Sequence, residues 1–312
     1  MFPNPLLIIL GPTASGKTKL AVSLADEFNG EIISADSRQI FKGMDIGTGK
    51  DLAEYHINGK QIPYHLINIR SAGDKYNVNL FKEDFYHSFQ DINQRNRLPI
   101  LCGGTGMYIH SVLQNYELTA VPRDESLRAK YEGFSREQLQ DTLNSYPKKL
   151  REQADSSSSK RLIRAIEIAE YLQYNDVKKK ERPIINPIVI GLQSDLTTRR
   201  DRILARLDLR LKNGLIEEVE SLLANGVSLE ILTFYGLEYK FVASYLVGDI
   251  DFVSLKERLG IAICQFAKRQ MTFFRKMEKD GVQINWLNAD DQFSMLKSKA
   301  IQLINSKFDN EK

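Results

Sequence analysis

The sequence predicts a doubly wound α/β protein with a parallel sheet core and a mostly helical insertion. Three observations carry this. Apolar runs at residues 6–10 (LLIIL), 31–35 (EIISA) and 98–102 (LPILC) read as buried strands. They pass into short loops and then into helical patterns, the alternation expected of parallel strands with crossover helices. Between residues 119 and 183 no buried strand pattern occurs and helical stretches take over. The expected parts are 1–118, the first part of the core; 119–183, a helical insertion; and 184–312, the second part of the core with C-terminal helices.

The first strand runs directly into GPTASGKT at residues 11–18, and residues 19–28 read as a helix. Strand, glycine-bounded loop and helix, with every fixed position of Gly-x-x-x-x-Gly-Lys-Thr filled, is a phosphate-binding P-loop. Gly11 and Gly16 let the backbone turn so that successive N–H groups point into one concavity. Pro12, Thr13, Ala14 and Ser15 form the body of that loop. The helix start adds unpaired N–H groups and a positive dipole end. Lys17 supplies a mobile charge for an outer phosphate, and the Thr18 hydroxyl is a natural Mg²⁺ ligand. The motif specifies a polyphosphate without specifying ATP. The core is therefore expected to be a P-loop NTPase-like parallel sheet.

The remaining elements follow in order. Asp36, Ser37, Arg38 and Gln39 stand at the carboxyl end of the second strand, where ligands of parallel sheets collect. Residues 41–50 are glycine-rich loop, 64–69 a short strand and 79–94 a helix. The strand at 98–102 leads into GGTG at 103–106 and a helix through 113. The insertion holds helices at 136–144 and 159–172, a serine run at 156–159 and a basic run, KKKER, at 178–182. A strand at 187–192 returns to the sheet. Helices are expected at 197–213, 215–224, 241–247 and 251–279, a strand at 282–287 and a last helix to about 306.

Composition bounds the function. A chain of 312 residues with 42% hydrophobic content can bury a large core, and a formal charge of +3 leaves any nucleic-acid contact to local basic clusters. Cys102 and Cys264 are far apart and lack metal-ligand spacing, which points to a reducing compartment and no zinc site. No basic start with a cleavable apolar stretch and no run of about 20 apolar residues occurs, so neither a signal peptide nor a membrane contact is expected. The expectation is a cytoplasmic monomer.

Asp36 is the leading candidate for acid–base or metal work beside bound phosphate, with a helix cap as its alternative role. Thr105, in a glycine turn, fits a phosphate or base contact and an ordinary turn equally well. Arg161 and Arg164 share a helix face, and Arg202, Arg206 and Arg210 form an i,i+4 stripe. By spacing alone the stripe reads as a solvated face partly neutralised by Asp201, Asp208 and Glu217. Phe266, Phe273 and Phe274 recur at helical spacing and read as core. His65, His87 and His110 show no metal-like pairing.

The segments GPTASGKT (11–18), DSRQ (36–39), GMDIGT (43–48), YHL (64–66), GGTGMY (103–108), KRLIRAIE (160–167), GLIEEV (214–219), GLEYK (236–240) and AKRQMTFFR (267–275) occur in this order. Together they closely resemble the tRNA dimethylallyltransferases, also called tRNA isopentenyltransferases, over nearly the whole chain. The resemblance implies transfer of a dimethylallyl group from dimethylallyl diphosphate to N6 of adenosine 37, next to the anticodon of tRNA, with Mg²⁺ as cofactor. It implies that Thr13 to Thr18 cradle the diphosphate and that Asp36 meets the adenine N6 as general base. It further implies tRNA contacts from Asp36, Ser37, Arg38, Gln39, Thr105 and Arg128, and from Lys160, Arg161, Leu162, Ile163 and Arg164 in the helical tRNA-binding insertion, with the anticodon stem-loop of tRNA as partner. Three positions depart from the family pattern. Lys160 replaces a usual Gln, Glu238 a usual Gly and Cys264 a frequent Arg. The zinc finger of eukaryotic members has no counterpart, so the bacterial type is expected. Rival readings are an adenylate isopentenyltransferase with a free nucleotide acceptor, a small-molecule kinase, and a nucleic-acid-binding module without catalysis.

Overall fold

The computed structural model describes residues 4–152, 154–178 and 180–309. Lys179 of the basic run lies outside the described residues. The chain forms two compact units, one of Met1–Gln114 with Pro183–Lys312 and one of Asn115–Arg182.

In chain order the elements begin with β1 (Pro5–Leu10), α1 (Lys17–Glu27) and β2 (Gly30–Ser34). A small antiparallel hairpin, β3 (His56–Ile57) and β4 (Lys60–Gln61), precedes β5 (Tyr64–His65), α2 (Val78–Gln94), β6 (Leu98–Gly103) and α3 (Gly106–Leu113). The smaller unit contributes α4 (Glu125–Lys130), α5 (Arg136–Asn144), α6 (Lys148–Arg151) and α7 (Ser159–Tyr174). The larger unit resumes with β7 (Asn186–Gln193), α8 (Leu196–Lys212), α9 (Leu215–Ala224), α10 (Leu229–Tyr235) and α11 (Leu237–Leu246). It closes with α12 (Phe252–Lys279), β8 (Asn285–Asn288) and α13 (Phe293–Asp309).

Six strands pair in the order β5-β2-β6-β1-β7-β8, every pair parallel. Leu7 of β1 lies opposite Ile100 on one side and Ile188 on the other. Such a strand has no polar face to offer, which is why LLIIL is apolar throughout. Successive side chains alternate between two cores. Leu6, Ile8 and Leu10 pack with Phe85, Phe89 and Phe274, whereas Leu7 and Ile9 pack with Leu20, Leu24, Leu296 and Ala300. Each of the buried Leu, Ile and Phe side chains contributes about 1.5–3 kcal/mol. A third cluster joins Phe41 and Met44 to α8, α9, α10, α11 and α12 through Leu207, Val219, Tyr235, Tyr239 and Leu259.

Some boundaries differ from the sequence reading. The strand expected at 64–69 stops after His65, because Leu66 and Asn68 take left-handed backbone with φ of 61° and 58°. Val282 and Ile284 are buried, yet the ladder begins only at Asn285, opposite Ile190. Helix α10 went unrecognised and α11 starts earlier than residue 241. Gly236, at φ 148°, separates the two and serves as end of one and start of the other. Among the described residues no helix is long and apolar enough to cross a membrane.

The smaller unit has a modest core of Tyr131, Leu139, Leu143, Leu162, Ala165, Ile166 and Ala169. Its helix starts are capped by Asp124, by Ser135 in a capping box with Gln138, and by Ser158. The buried Glu167 carboxylate knits the unit together. It accepts from Arg128 Nε at 2.6 Å and Nη2 at 2.7 Å, from Asp124 N at 3.0 Å and from Arg164 Nη1 at 3.3 Å. Burial alone would raise its pKa, but these donors outweigh burial and hold it below the usual glutamate value. Because the folded pKa is depressed, this stabilisation is present above the ordinary glutamate pKa and is lost as pH falls through the folded value. Glu167→Gln leaves two guanidinium groups without their charge partner and is expected to destabilise the unit by about 3 kcal/mol. Hydrogen exchange of the α7 amides checks this. The variant should exchange ~100-fold faster at neutral pH, and the difference should shrink as wild type is acidified.

Candidate functional site

Because the strands are parallel, the chain leaves β1, β2, β6 and β7 at one edge of the sheet. A cleft of about 560 Å³ opens there within the larger unit, lined by the loops after β1, β2 and β6 and by α8, α10, α11 and α12. The loop after β1 takes left-handed backbone at Ala14 (φ 61°) and Gly16 (φ 77°) before α1 begins at Lys17, the kind of turn in which successive N–H groups form an anion-binding concavity. A Cβ on Gly11 would lie 2.7 Å from Ser15 Oγ and 3.1 Å from the Leu192 carbonyl oxygen, so a larger residue would crowd this tight return. Lys17 Nζ donates to Pro12 O at 3.3 Å, a contact that leaves donor capacity for an anion. Burial lowers the Lys17 pKa, Arg206 pushes it further down and Asp36 opposes both. Ser15 Oγ is buried without a partner among the described residues. The loop thus presents desolvated donors in excess of the acceptors around them, the arrangement an anion completes.

Asp36 follows β2, and no α-helix begins at it. Its Oδ1 accepts from Arg38 N at 2.9 Å, so the carboxylate braces a tight turn while facing the cleft. Ser37 N donates to Thr105 Oγ1 at 3.1 Å, and Thr105 N donates to Ala35 O at 3.1 Å, tying the loop after β2 to the loop after β6. Ser34 Oγ donates to Gln39 Oε1 at 2.8 Å and Gln39 Nε2 donates to Gly49 O at 3.2 Å, so Gln39 links β2 to the glycine-rich loop. Gly103 lies against the Ala35 carbonyl, with no room for a Cβ. Cys102 lines the same cleft, and burial pushes its thiol up to about 12, which keeps it protonated and inert.

Three side chains that sequence patterning did not single out organise the site. Gln270, from the middle of α12, accepts from Thr13 N at 2.9 Å and donates through Nε2 to Gly104 O at 2.9 Å. It therefore fixes the phosphate loop relative to the loop after β6. Glu218 of α9 accepts from the backbone N–H groups of Asp45 (2.7 Å), Ile46 (2.7 Å) and Gly47 (2.9 Å), and from the Tyr239 hydroxyl at 2.7 Å. Lys50 is buried and donates to Phe41 O, Asp45 Oδ1 and Asn68 Oδ1, each at 2.6 Å. These two residues hold residues 43–50 as one wall of the cleft.

The arginine stripe on α8 divides. Arg202 pairs outward with Asp290 at 3.0 Å, whereas Arg206 and Arg210 line the cleft. Arg210 Nη1 reaches Glu238 Oε1 at 3.3 Å and Gly47 O at 3.4 Å, and its Nη2 is buried without a partner among the described residues. Among the described residues no ion pair joins Asp201, Asp208 or Glu217 to the stripe, and Asp208 pairs with Lys256. The fold therefore turns part of a stripe that reads as a solvated face into a cationic wall. Burial raises the Glu238 pKa, with Arg210 and Arg206 opposing it. Phe274 is core as expected, Phe273 packs partly buried against the same core while also lining the cleft, and Phe266 lines the cleft and is exposed.

Of the positions on α7, Lys160 and Arg161 are exposed, and Arg161 Nη1 donates to Asp155 Oδ2 at 2.9 Å and Ser157 Oγ at 2.6 Å. Leu162, expected among the tRNA contacts, has its side chain in the core of its unit with no exposed surface, because the helix period turns it inward. Ile163 is partly buried against the same core. Arg164 donates to the carbonyls of Leu118, Val121 and Pro122, and Arg128 is held by Glu167.

Residues 39–277 match the family model described as IPP transferase, and residues 4–64 match one described as isopentenyl transferase. The chain is 51% identical to tRNA dimethylallyltransferase 1 of Parabacteroides distasonis, covering 91% of this chain and 92% of that protein. It is 53% identical to tRNA dimethylallyltransferase 2 of Porphyromonas gingivalis, covering 91% and 94%. The fold resembles the crystal structure of a full-length tRNA isopentenylpyrophosphate transferase from Bacillus halodurans, with a TM-score of 0.72, 30% identity and coverage of 98% and 97%. A eukaryotic dimethylallyltransferase acting on tRNA shares the fold at TM-score 0.70 and 22% identity, covering 99% of this chain and 80% of that one.

Gln270→Ala removes the link between the phosphate loop and the loop after β6, leaving a buried N–H and a carbonyl unpaired. A loss of about 1–3 kcal/mol is expected, divided between folding and ligand affinity. Calorimetric titration with inorganic diphosphate should show binding weakened about tenfold, together with a lower Tm.

Proposed function

The chain belongs to the IPP transferase family, and on that premise we propose that it transfers a dimethylallyl group from dimethylallyl diphosphate to N6 of adenosine 37 in tRNA, giving N6-isopentenyladenosine. The observation that carries this reading is the meeting of the P-loop, Arg206 and Asp36 in one cleft. It sets cations at one place and a carboxylate at another, as displacement of diphosphate by an amine requires.

Diphosphate leaves an allylic carbon readily only when its growing charge is met. The loop N–H groups, Lys17 and Arg206 meet it in a desolvated setting, where such contacts are strongest. The exocyclic amine of adenine is a weak nucleophile because its lone pair is delocalised into the ring. Asp36 takes its proton as the C–N bond forms. The acceptor base must leave the RNA stack to enter the cleft, at a cost of a few kcal/mol that is smallest in a single-stranded loop. Among the described residues no three His, Cys, Asp or Glu side chains cluster as a metal cage. The Thr18 hydroxyl lines the cleft beside the phosphate loop and would hold a Mg²⁺ ion, an ion that needs few protein ligands when phosphate oxygens and water supply the rest. An ion held there would add Lewis-acid stabilisation of the leaving diphosphate. A tRNA substrate also accords with a cytoplasmic setting.

In the smaller unit, Lys160 and Arg161 are the side chains we assign to RNA phosphate contact, since they are exposed. Arg128 and Arg164 act chiefly by holding Glu167 and the carbonyls before α4, so their loss would act on RNA binding through folding.

Labelled dimethylallyl diphosphate offered with unmodified tRNA or with AMP, beside γ-labelled ATP, tests the reading. Label should enter tRNA alone; label in AMP, or phosphoryl transfer from ATP without prenylation, would overturn it. In the same assay Asp36→Asn should slow single-turnover transfer by about 10²–10⁴-fold at nearly unchanged Tm, since Asn still accepts from Arg38 N. Replacing Lys160 and Arg161 together by Ala should weaken tRNA binding and flatten its log–log salt dependence by about 1–2. Donor affinity should stay as in wild type.

A further inference from the structure

One feature of the cleft is used neither by the diphosphate nor by the proton transfer. Phe234, on α10, lines the cleft and is 61% exposed, while its neighbour Tyr235 is fully buried against Phe41 with ring centroids 4.5 Å apart. Tyr235 anchors this turn of helix, and the Phe234 ring lies 6.2 Å from it at a tilt. The Arg38 guanidinium lies over the Phe234 ring, 5.5 Å from its centroid. Arg38 in turn is two residues from Asp36 and donates its backbone N–H to the Asp36 carboxylate. An exposed aromatic ring is thus braced on one side by a cation whose backbone is tied to the group that receives the adenine proton. The same pairing recurs on α12, where the Arg269 guanidinium lies 6.0 Å from the ring of Phe266, which is 41% exposed and lines the same cleft.

The chemistry of the occupant follows from what such a ring can recognise. A phosphate gains nothing from an aromatic face. A short prenyl chain gains most from an enclosed apolar pocket, which a ring more than half open to water does not provide. A planar heterocycle gains from both the face and the adjacent cation, and every base has such a face whatever its identity. We propose that Phe234, backed by Arg38, is a stacking platform for a base adjacent to the reacting adenosine, and that Phe266 with Arg269 supplies a second such surface. This rests on the reading of tRNA as acceptor. It adds a specificity-determining element that a free adenine nucleotide, having no neighbouring base, cannot use.

The test uses the full-length protein, dimethylallyl diphosphate and an anticodon stem-loop RNA, with Phe234→Ala, Phe234→Leu and Phe234→Trp. Both Phe234→Ala and Phe234→Leu should raise KM for the stem-loop about tenfold, with the smaller effect on kcat and none on the affinity for the donor; Phe234→Trp should restore KM. Stem-loops carrying an abasic nucleotide immediately 5′ or 3′ of the target adenosine supply the second half of the cycle. For one of them the wild-type protein should lose about as much as Phe234→Ala loses on intact RNA, and Phe234→Ala should lose little more. An unchanged KM in Phe234→Ala, rescue by Phe234→Leu, or fully additive losses at both abasic positions would assign the ring to packing alone. Wild-type protein that leaves the stem-loop unmodified would sink the parent reading as well, an outcome distinct from normal wild-type turnover with unaffected variants.

Discussion

The parallel alignment of β1 between β6 and β7 is the constraint from which the larger unit follows. A strand hydrogen-bonded on both edges and covered on both faces admits no polar side chain, so polar chemistry is confined to the segments beyond its ends. Since all six strands run the same way, the segments leaving β1, β2 and β6 emerge together. The sheet brings the phosphate loop, Asp36 and Thr105 side by side although residues 11–18, 36 and 105 belong to three separate segments. Local features then adjust the meeting. Gly103 allows close approach to the Ala35 carbonyl, and Gln270 sets the distance between the phosphate loop and Gly104.

Charges in the cleft alternate in sign, and burial acts on each of them. It lowers the pKa of Lys17 and Arg210 and raises that of Glu54 and Glu238, so each charged form depends on its neighbours. A site built this way is sensitive to an incoming anion, because phosphate oxygens replace the water the cations have lost. The Arg210–Glu238 contact shows how a departure from the family pattern is absorbed. The Glu238 carboxylate, where the resemblance implies a glycine, lies 3.3 Å from Arg210, one helical turn beyond Arg206. No structural account of Cys264 emerges beyond its partly buried packing against the α8–α12 core.

Support for the site comes in layers. Glu218, Tyr239 and Lys50 touch no reacting group by the mechanism above, yet they hold residues 43–50 through four hydrogen bonds to or from backbone at 2.6–2.9 Å and three side-chain contacts at 2.6–2.7 Å. In the smaller unit Glu167 plays the comparable part. Glu218, Lys50 and Glu167 are buried or half-buried ionic groups with their hydrogen-bonding capacity largely used, which makes them costly to remove and effective at defining a single arrangement.

Sequence alone determined the features written in contiguous residues: the phosphate loop, the buried strands, most helices, and the ordered motifs that identify the family. Strand and helix periods and the glycine positions of a turn are local, so short segments carry them. It did not determine which members of a helical charge stripe face inward. Arg202 and Arg206 are equivalent by spacing, yet only the packing of α8 sends one to Asp290 and the other into the cleft. Nor did it show that Arg164 is occupied by carbonyls, or that Leu162 is core. The partners that decide these roles are remote in the chain. Thr13 and Gln270 are 257 residues apart, and Gly47 and Glu218 are 171 apart. Only folding brings such pairs within 3 Å, and the hydrogen bond that results leaves no periodic trace in either segment.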